Sequence, residues 1–166
     1  MAWFYKQADE ITREQMEDLV VQFAEESLRR IHPNPRRVLL LPPDITRAHS
    51  GSGWITNRLY HFFAPTAEVY LMPTLGQHIP HTPEQNEWMF GDVPEERILV
   101  HDWIRECKTI GTIPADYVRT ISDGAADWDI PISINRLVLE GNWDIILNIG
   151  HVVPHEVLGF ANHNKN

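Results

Sequence analysis

Three polar islands in this chain carry the residue types that act on small acids. The first is Pro42-Pro43-Asp44-Ile45-Thr46-Arg47-Ala48-His49-Ser50. An arginine at such a turn can fork onto a carboxylate or phosphate, with Asp44 and Thr46 fixing a hydroxyl. The competing reading makes Asp44 a helix cap feeding the helix of Trp54, and Arg47 a surface ion pair. In the second island, Pro73-Thr74-Leu75-Gly76-Gln77-His78, a glycine lets the backbone turn or approach closely. His78 there is a general acid or base, or else a solvated loop residue. His81 stands beside Thr82 and reads as a helix-end residue. The third island runs from His151 to His155 and on to Asn162-His163-Asn164-Lys165. His155-Glu156 is an acid/base candidate, and Lys165 is either a site cation or a solvated lysine. His151 and His155 have the spacing of a helical metal pair, but Pro154 lies between them and the zinc-protease glutamate is missing. No metal site is therefore expected.

Each island follows an apolar run, which is what must position it. Val38-Leu39-Leu40-Leu41 and Ile145-Ile146-Leu147 read as buried strands. Ligands in open α/β sheets collect beyond the carboxyl ends of strands. Residues 12 to 31 form a helix, with a Thr12–Gln15 capping box and an apolar stripe of Met16, Leu19, Val20, Phe23 and Ile31. Strand one, Arg37 to Leu41, ends at Pro42-Pro43 because proline cannot continue a central ladder. Ile55, Leu59, Phe62 and Phe63 recur at helical spacing, and Glu68 to Met72 is strand two. Thr82, Pro83, Gln85 and Gly91 delimit a short helix. Ile98-Leu99-Val100 is expected as strand three, with His101-Asp102-Trp103 at its end in a packing role. Cys107 to Ile113 reads as another strand, 114 to 122 as a short helix, and Trp143 to Ile149 as a strand. Ile134 to Leu139 suits either helix or strand, and Val152 to Phe160 is expected to turn as a helix. Strands alternating with helices predict a layered α/β fold: a mostly parallel sheet with helices on both faces, a partial Rossmann-like domain.

Composition narrows the function. A chain of 166 residues fits one α/β domain. Asp and Glu number 23 against 14 Lys and Arg, giving a net charge of −9. That balance excludes the basic face of a nucleic-acid binder. One cysteine, Cys107, precludes a disulfide framework. No apolar stretch approaches the roughly 20 residues that span a bilayer. The first residues lack a secretory segment, so a cytoplasmic chain without membrane partners is expected. There is no G-x-G-x-x-G and no Walker lysine loop. A polar Asn/His run reaches to the last residues, where function rarely sits because chain ends fray. The chain is therefore expected to be the amino-terminal portion of a longer two-domain protein.

Taken in order, the islands resemble the lactate racemase family, whose members use the nickel-pincer nucleotide. Asp44, Thr46 and Arg47 match its Asp-x-Thr-Arg after the first strand, and Gly76 with His78 matches its Gly-x-His after the second. His155 and Lys165 stand ten apart, as the family's third element requires. Ile134-Asn135-Arg136 through Asp144-Ile145-Ile146 is similar to the family's strand-leading segment. The resemblance implies a racemase or epimerase of a 2-hydroxy acid, working by hydride abstraction and return. Lys165 would tether the nucleotide, His78 and His155 would act as acid and base on opposite substrate faces, and Arg47 would bind the carboxylate. Asp44 and Thr46 would help position substrate or cofactor. The family's axial nickel histidine lies downstream of the tethering lysine, and its second domain closes over the substrate. Neither is in this chain, so the chain alone is expected to be inactive. His49-Ser50 replaces a proline-rich continuation and suggests a different substrate. A non-catalytic module for small carboxylates or phosphates is the alternative, and a structural half-domain that scaffolds the missing carboxyl-terminal portion is a third reading.

Overall fold

The computed structural model describes residues 3–76, 78–155, 159 and 160. In chain order its elements are α1 (Arg13–Arg30), β1 (Arg37–Leu41), a 3-10 helix (Ile45–Ser50), α2 (Ser52–Phe63), β2 (Glu68–Leu71) and α3 (Pro83–Phe90). A 3-10 turn (Glu95–Arg97), β3 (Cys107–Ile113), α4 (Ala115–Ile121), β4 (Ile130–Asn135) and α5 (Arg136–Glu140) come next. β5 (Ile145–Asn148), β6 (Pro154–His155) and β7 (Gly159–Phe160) complete the described elements. The chain divides into two compact units, Met1–Val100 with Trp143–Asn166, and His101–Asn142.

The first unit is built on a parallel sheet ordered β2-β1-β5. β1 is its central strand, and Val38, Leu39 and Leu40 are fully buried, as a continuous apolar run covered on both faces requires. β5 has one neighbour in this sheet and alternates instead: Ile145 and Leu147 are buried while Ile146 and Asn148 are exposed. Val20 and Ala24 of α1, Leu59 and Phe63 of α2, and Met89 and Phe90 of α3 complete the same core. α2 and α3 approach so closely that a Cβ on Gly53 would lie 2.2 Å from the Met89 carbonyl oxygen. The Asp144 carboxylate accepts the Arg36 and Arg37 amides at 2.7 and 3.0 Å, tying the start of β5 to that of β1. Those two bonds hold its carboxyl below the usual range.

Local chemistry sets the helix limits. Thr12 with Gln15 and Thr82 with Gln85 form reciprocal capping boxes, and Pro83 occupies the first turn of α3. The second unit pairs β3 with β4 in antiparallel fashion, with a register shift between Thr109 and Gly111. Among the described residues no helix is long and apolar enough to cross a membrane.

The α/β expectation holds, and the antiparallel β3–β4 pair forms a sheet separate from the parallel one. Two local expectations are corrected and one open segment is resolved. Ile98-Leu99-Val100 is not a strand: Ile98 makes a single bridge to Leu71, and Val100 is exposed with nothing to pair along. Within Val152 to Phe160 the described residues are not helical, because Pro154 and Gly159 disfavour a helix and sit instead in the paired β6 and β7. The ambiguous Ile134–Leu139 segment contains a boundary. β4 ends at Asn135, whose side chain accepts the Leu137 amide at 2.8 Å and starts α5.

Candidate active site

Parallel neighbours end on the same edge, so β1 and β2 deliver the first two islands, and β5 the start of the third at His151, to one side of the sheet. The first two islands are joined further. Pro43 bridges Thr74, and the Thr74 amide and hydroxyl donate to the Pro42 carbonyl at 2.8 and 3.1 Å. β1 ends at Leu41, before Pro42-Pro43 as expected, and an isolated bridge beyond it still ties the two islands through the Pro42 carbonyl, which proline retains.

Asp44 caps the 3-10 helix and is 5 % exposed. Its Oδ1 accepts the Thr46 amide at 3.1 Å and the Thr46 hydroxyl at 2.6 Å. Its Oδ2 meets Nδ1 of His78. Burial pushes the Asp44 carboxyl up, but the Thr46 and His78 hydrogen bonds and the His78 charge outweigh it and hold the group below the usual carboxylate range. An ionised carboxylate only accepts, so the proton of this contact resides on His78 Nδ1 and the ring's Nε2 is left for other partners. The His78 side chain remains 59 % exposed. Gly76 turns the loop with φ +57°, and a Cβ there would meet nothing within 4 Å, so the position needs the dihedral rather than space.

Arg47 lies on the 3-10 helix, exposed, and forms no ion pair among the described residues. The rings of His49 and His151 meet edge to face with centroids 5.5 Å apart, linking the first and third islands. For His155 the backbone alone is described, in β6, and Lys165 lies outside the described residues. His101 belongs to the second unit, where its Nδ1 accepts from Asn135 Nδ2 at 3.0 Å, the packing role expected of it. Burial pushes its pKa down, against Asp102, which raises it.

Sequence reading underestimated His81 and missed Asn86. His81 Nε2 accepts the Ile45 amide at 2.9 Å, and its Nδ1 lies 3.0 Å from Asn86 Oδ1. Asn86 is buried and donates to both Glu95 carboxylate oxygens, at 2.9 and 3.1 Å. The signal available was a polar residue on the inward face of a short helix. An apolar groove of about 420 Å³ lined by Trp3, Phe4, Leu19, Phe23, Ile31 and Ile146 carries no titratable side chain and contributes nothing to acid chemistry.

The model of the family described as "Lactate racemase N-terminal domain" matches residues 5–166. This chain belongs to that family. A Thermotoga maritima protein of known crystal structure shares its fold, with 28 % identity and a TM-score of 0.79 over 94 % of this chain and 37 % of that one. The lactate racemase apoprotein from Thermoanaerobacterium thermosaccharolyticum matches with a TM-score of 0.63 at 21 % identity, over 90 % of this chain and 35 % of that one. The lactate racemase N-terminal domain seen here thus spans little more than a third of either solved relative. No curated protein matches the chain in sequence.

Proposed function

We propose that this chain is the front of a racemase or epimerase of 2-hydroxy acids. The observation that carries the reading is the buried, ionised Asp44 holding His78 by Nδ1, three positions before an exposed Arg47 on the same 3-10 turn. In this role Arg47 forks onto the substrate carboxylate. His78 takes the hydroxyl proton at Nε2, and Asp44 stabilises the imidazolium that results. His155 serves the opposite substrate face.

The donor set fits the family's nickel-pincer nucleotide as an organic, anionic group. The Thr46 hydroxyl hydrogen is committed to Asp44, so Thr46 offers only lone pairs, while Arg47 offers its guanidinium donors. Lys165 would hold the nucleotide covalently, with Asp44 and Thr46 fixing the first island around it. When bound, the group supplies the acceptor for the electron pair of the substrate C–H bond. Among the described residues no three His, Cys, Asp or Glu side chains gather to hold a metal ion.

Replacing His78 and His155 by alanine in the full-length parent tests the reading. Loss of racemisation with retained substrate binding is expected, whereas full racemisation would sink it. Unchanged carboxylate binding in a parent that never racemised would favour a binding module instead. The 166-residue chain alone should be inactive even with cofactor supplied, since misplacing reacting groups by about 1 Å costs roughly a hundredfold. Intact-mass measurement of the parent made with the cofactor pathway should show added mass on the Lys165 peptide.

A further inference from the structure

We infer that His81 is a positioning residue for this site: held as the neutral Nδ1–H tautomer, it accepts the Ile45 amide and fixes the turn that presents Asp44, Thr46 and Arg47. A backbone N–H can only donate, so the 2.9 Å contact places the lone pair on His81 Nε2. The other nitrogen is settled by Asn86. Its amide Nδ2 donates to both Glu95 oxygens, which turns its Oδ1 toward His81 and makes Nδ1 the donor. Both ring nitrogens are thus engaged, and the ring stacks on buried Phe90 with centroids 6.1 Å apart and planes 22° apart.

The position matters because the first N–H groups of a helix have no partner within it. In the 3-10 helix, Thr46 is served by Asp44 Oδ1 and Arg47 by the Asp44 carbonyl, whereas Ile45 depends on His81. The start of the turn is thereby fastened to α3, through Asn86, and beyond it to Glu95. Protonating His81 at Nε2 would set one N–H against another and release that attachment. The positioning stands on geometry alone. Its catalytic consequence rests on the racemase reading.

Nitrogen-15 spectra of the chain labelled at histidine test the tautomer directly, and a protonated Nε2 on His81 would overturn the inference. His81→Phe keeps the stack and removes both hydrogen bonds, while His81→Gln returns an acceptor near the place of Nε2. With one hydrogen bond lost, the Ile45 amide should exchange about tenfold faster in His81→Phe. The Asp44 carboxyl should titrate closer to its ordinary range, and both changes should reverse in His81→Gln. A folded His81→Phe chain with unaltered Ile45 exchange and Asp44 titration would refute positioning. In the full-length parent, kcat/KM should fall about tenfold in His81→Phe, with KM raised because Arg47 is less well held, and recover in His81→Gln. A parent without racemase activity would remove the functional reading and leave the spectroscopic test intact.

Discussion

Val38, Leu39, Leu40, Leu59, Phe63, Val69, Leu71 and Phe90 are all buried in the unit that carries the islands. In the unit His101–Asn142, Val118 is the buried hydrophobic among the described residues, while Ile104, Ile110, Tyr117, Ile121, Trp128 and Ile132 are exposed. The first unit closes a core around strands brought together from distant parts of the chain. The second rests on the β3–β4 ladder and on surface ion pairs such as Arg136–Glu106 and Lys108–Glu140. Surface pairs contribute little individually. A site that needs groups held to fractions of an ångström belongs on the first kind of platform, and the Asp44–His78 pair sits there.

The largest effect should come from Phe63→Ala, since Phe63 is 1 % exposed in the core shared by α2 and the sheet. A loss of about 3–5 kcal/mol is expected from denaturant unfolding. Val118→Ala in the other unit removes two buried methyl groups and should cost about 1.6 kcal/mol or somewhat more. Equal losses for the two substitutions would break the contrast between the units.

Asp44→Asn comes next. The carboxylate serves three donors: the Thr46 amide, the Thr46 hydroxyl and His78 Nδ1. An amide offers one acceptor oxygen and turns an NH₂ toward a donor. A cost of about 1–3 kcal/mol is expected for the group left unsatisfied, measured by denaturant unfolding. Should the site platform be as rigid as its core implies, the loss appears without rearrangement of β1 and β2. Strand amide shifts that move throughout the sheet would argue the opposite.

Much of this arrangement could be read before any coordinates. The capping boxes at Thr12 and Thr82 and the run Val38–Leu41 are local patterns, so α1, α3 and β1 fell close to their expected bounds. Asp44 and His78 were both candidates, yet their pairing depends on β1 and β2 being neighbours, which no spacing states. Ile98–Val100 has strand composition, and composition does not supply a pairing partner. His81 reads as the residue before a cap, because its function lies in a contact 36 positions away. The third island was legible as chemistry, and its side chains from His155 onward lie outside the described residues.

Acid should separate the units in a fixed order. His101 has its pKa pushed below the ordinary 6.5 by burial, against the raising influence of Asp102. The unfolded chain therefore binds that proton first, and the second unit loses stability as pH falls from about 6.5 toward the folded value of His101. Asp44 and Asp144 lie below their ordinary 3.8. Their contribution is fully present above that value and is lost only as pH falls through the lower folded ones. Hydrogen exchange at pH 7.5, 5.5 and 3.5 should show the β3–β4 amides losing protection before those of β1. Simultaneous loss at one pH would mean that the two units unfold as one.

The smallest effect tests the exposed face of the hairpin. Ile110 stands at the register shift between Thr109 and Gly111 and is 52 % exposed. It has no cross-strand partner in the ladder, which makes it the extra residue of a bulge. Ile110→Thr keeps the β-branch and its strand preference while removing exposed apolar surface. The change should therefore lie within about 0.5 kcal/mol of zero by denaturant unfolding. The first unit would not tolerate such a substitution in β1, where Leu39 and Leu40 have no solvent to meet. A loss comparable to that of Phe63→Ala would show that the face carrying Ile110 is covered in solution, and that the second unit has a core of its own making.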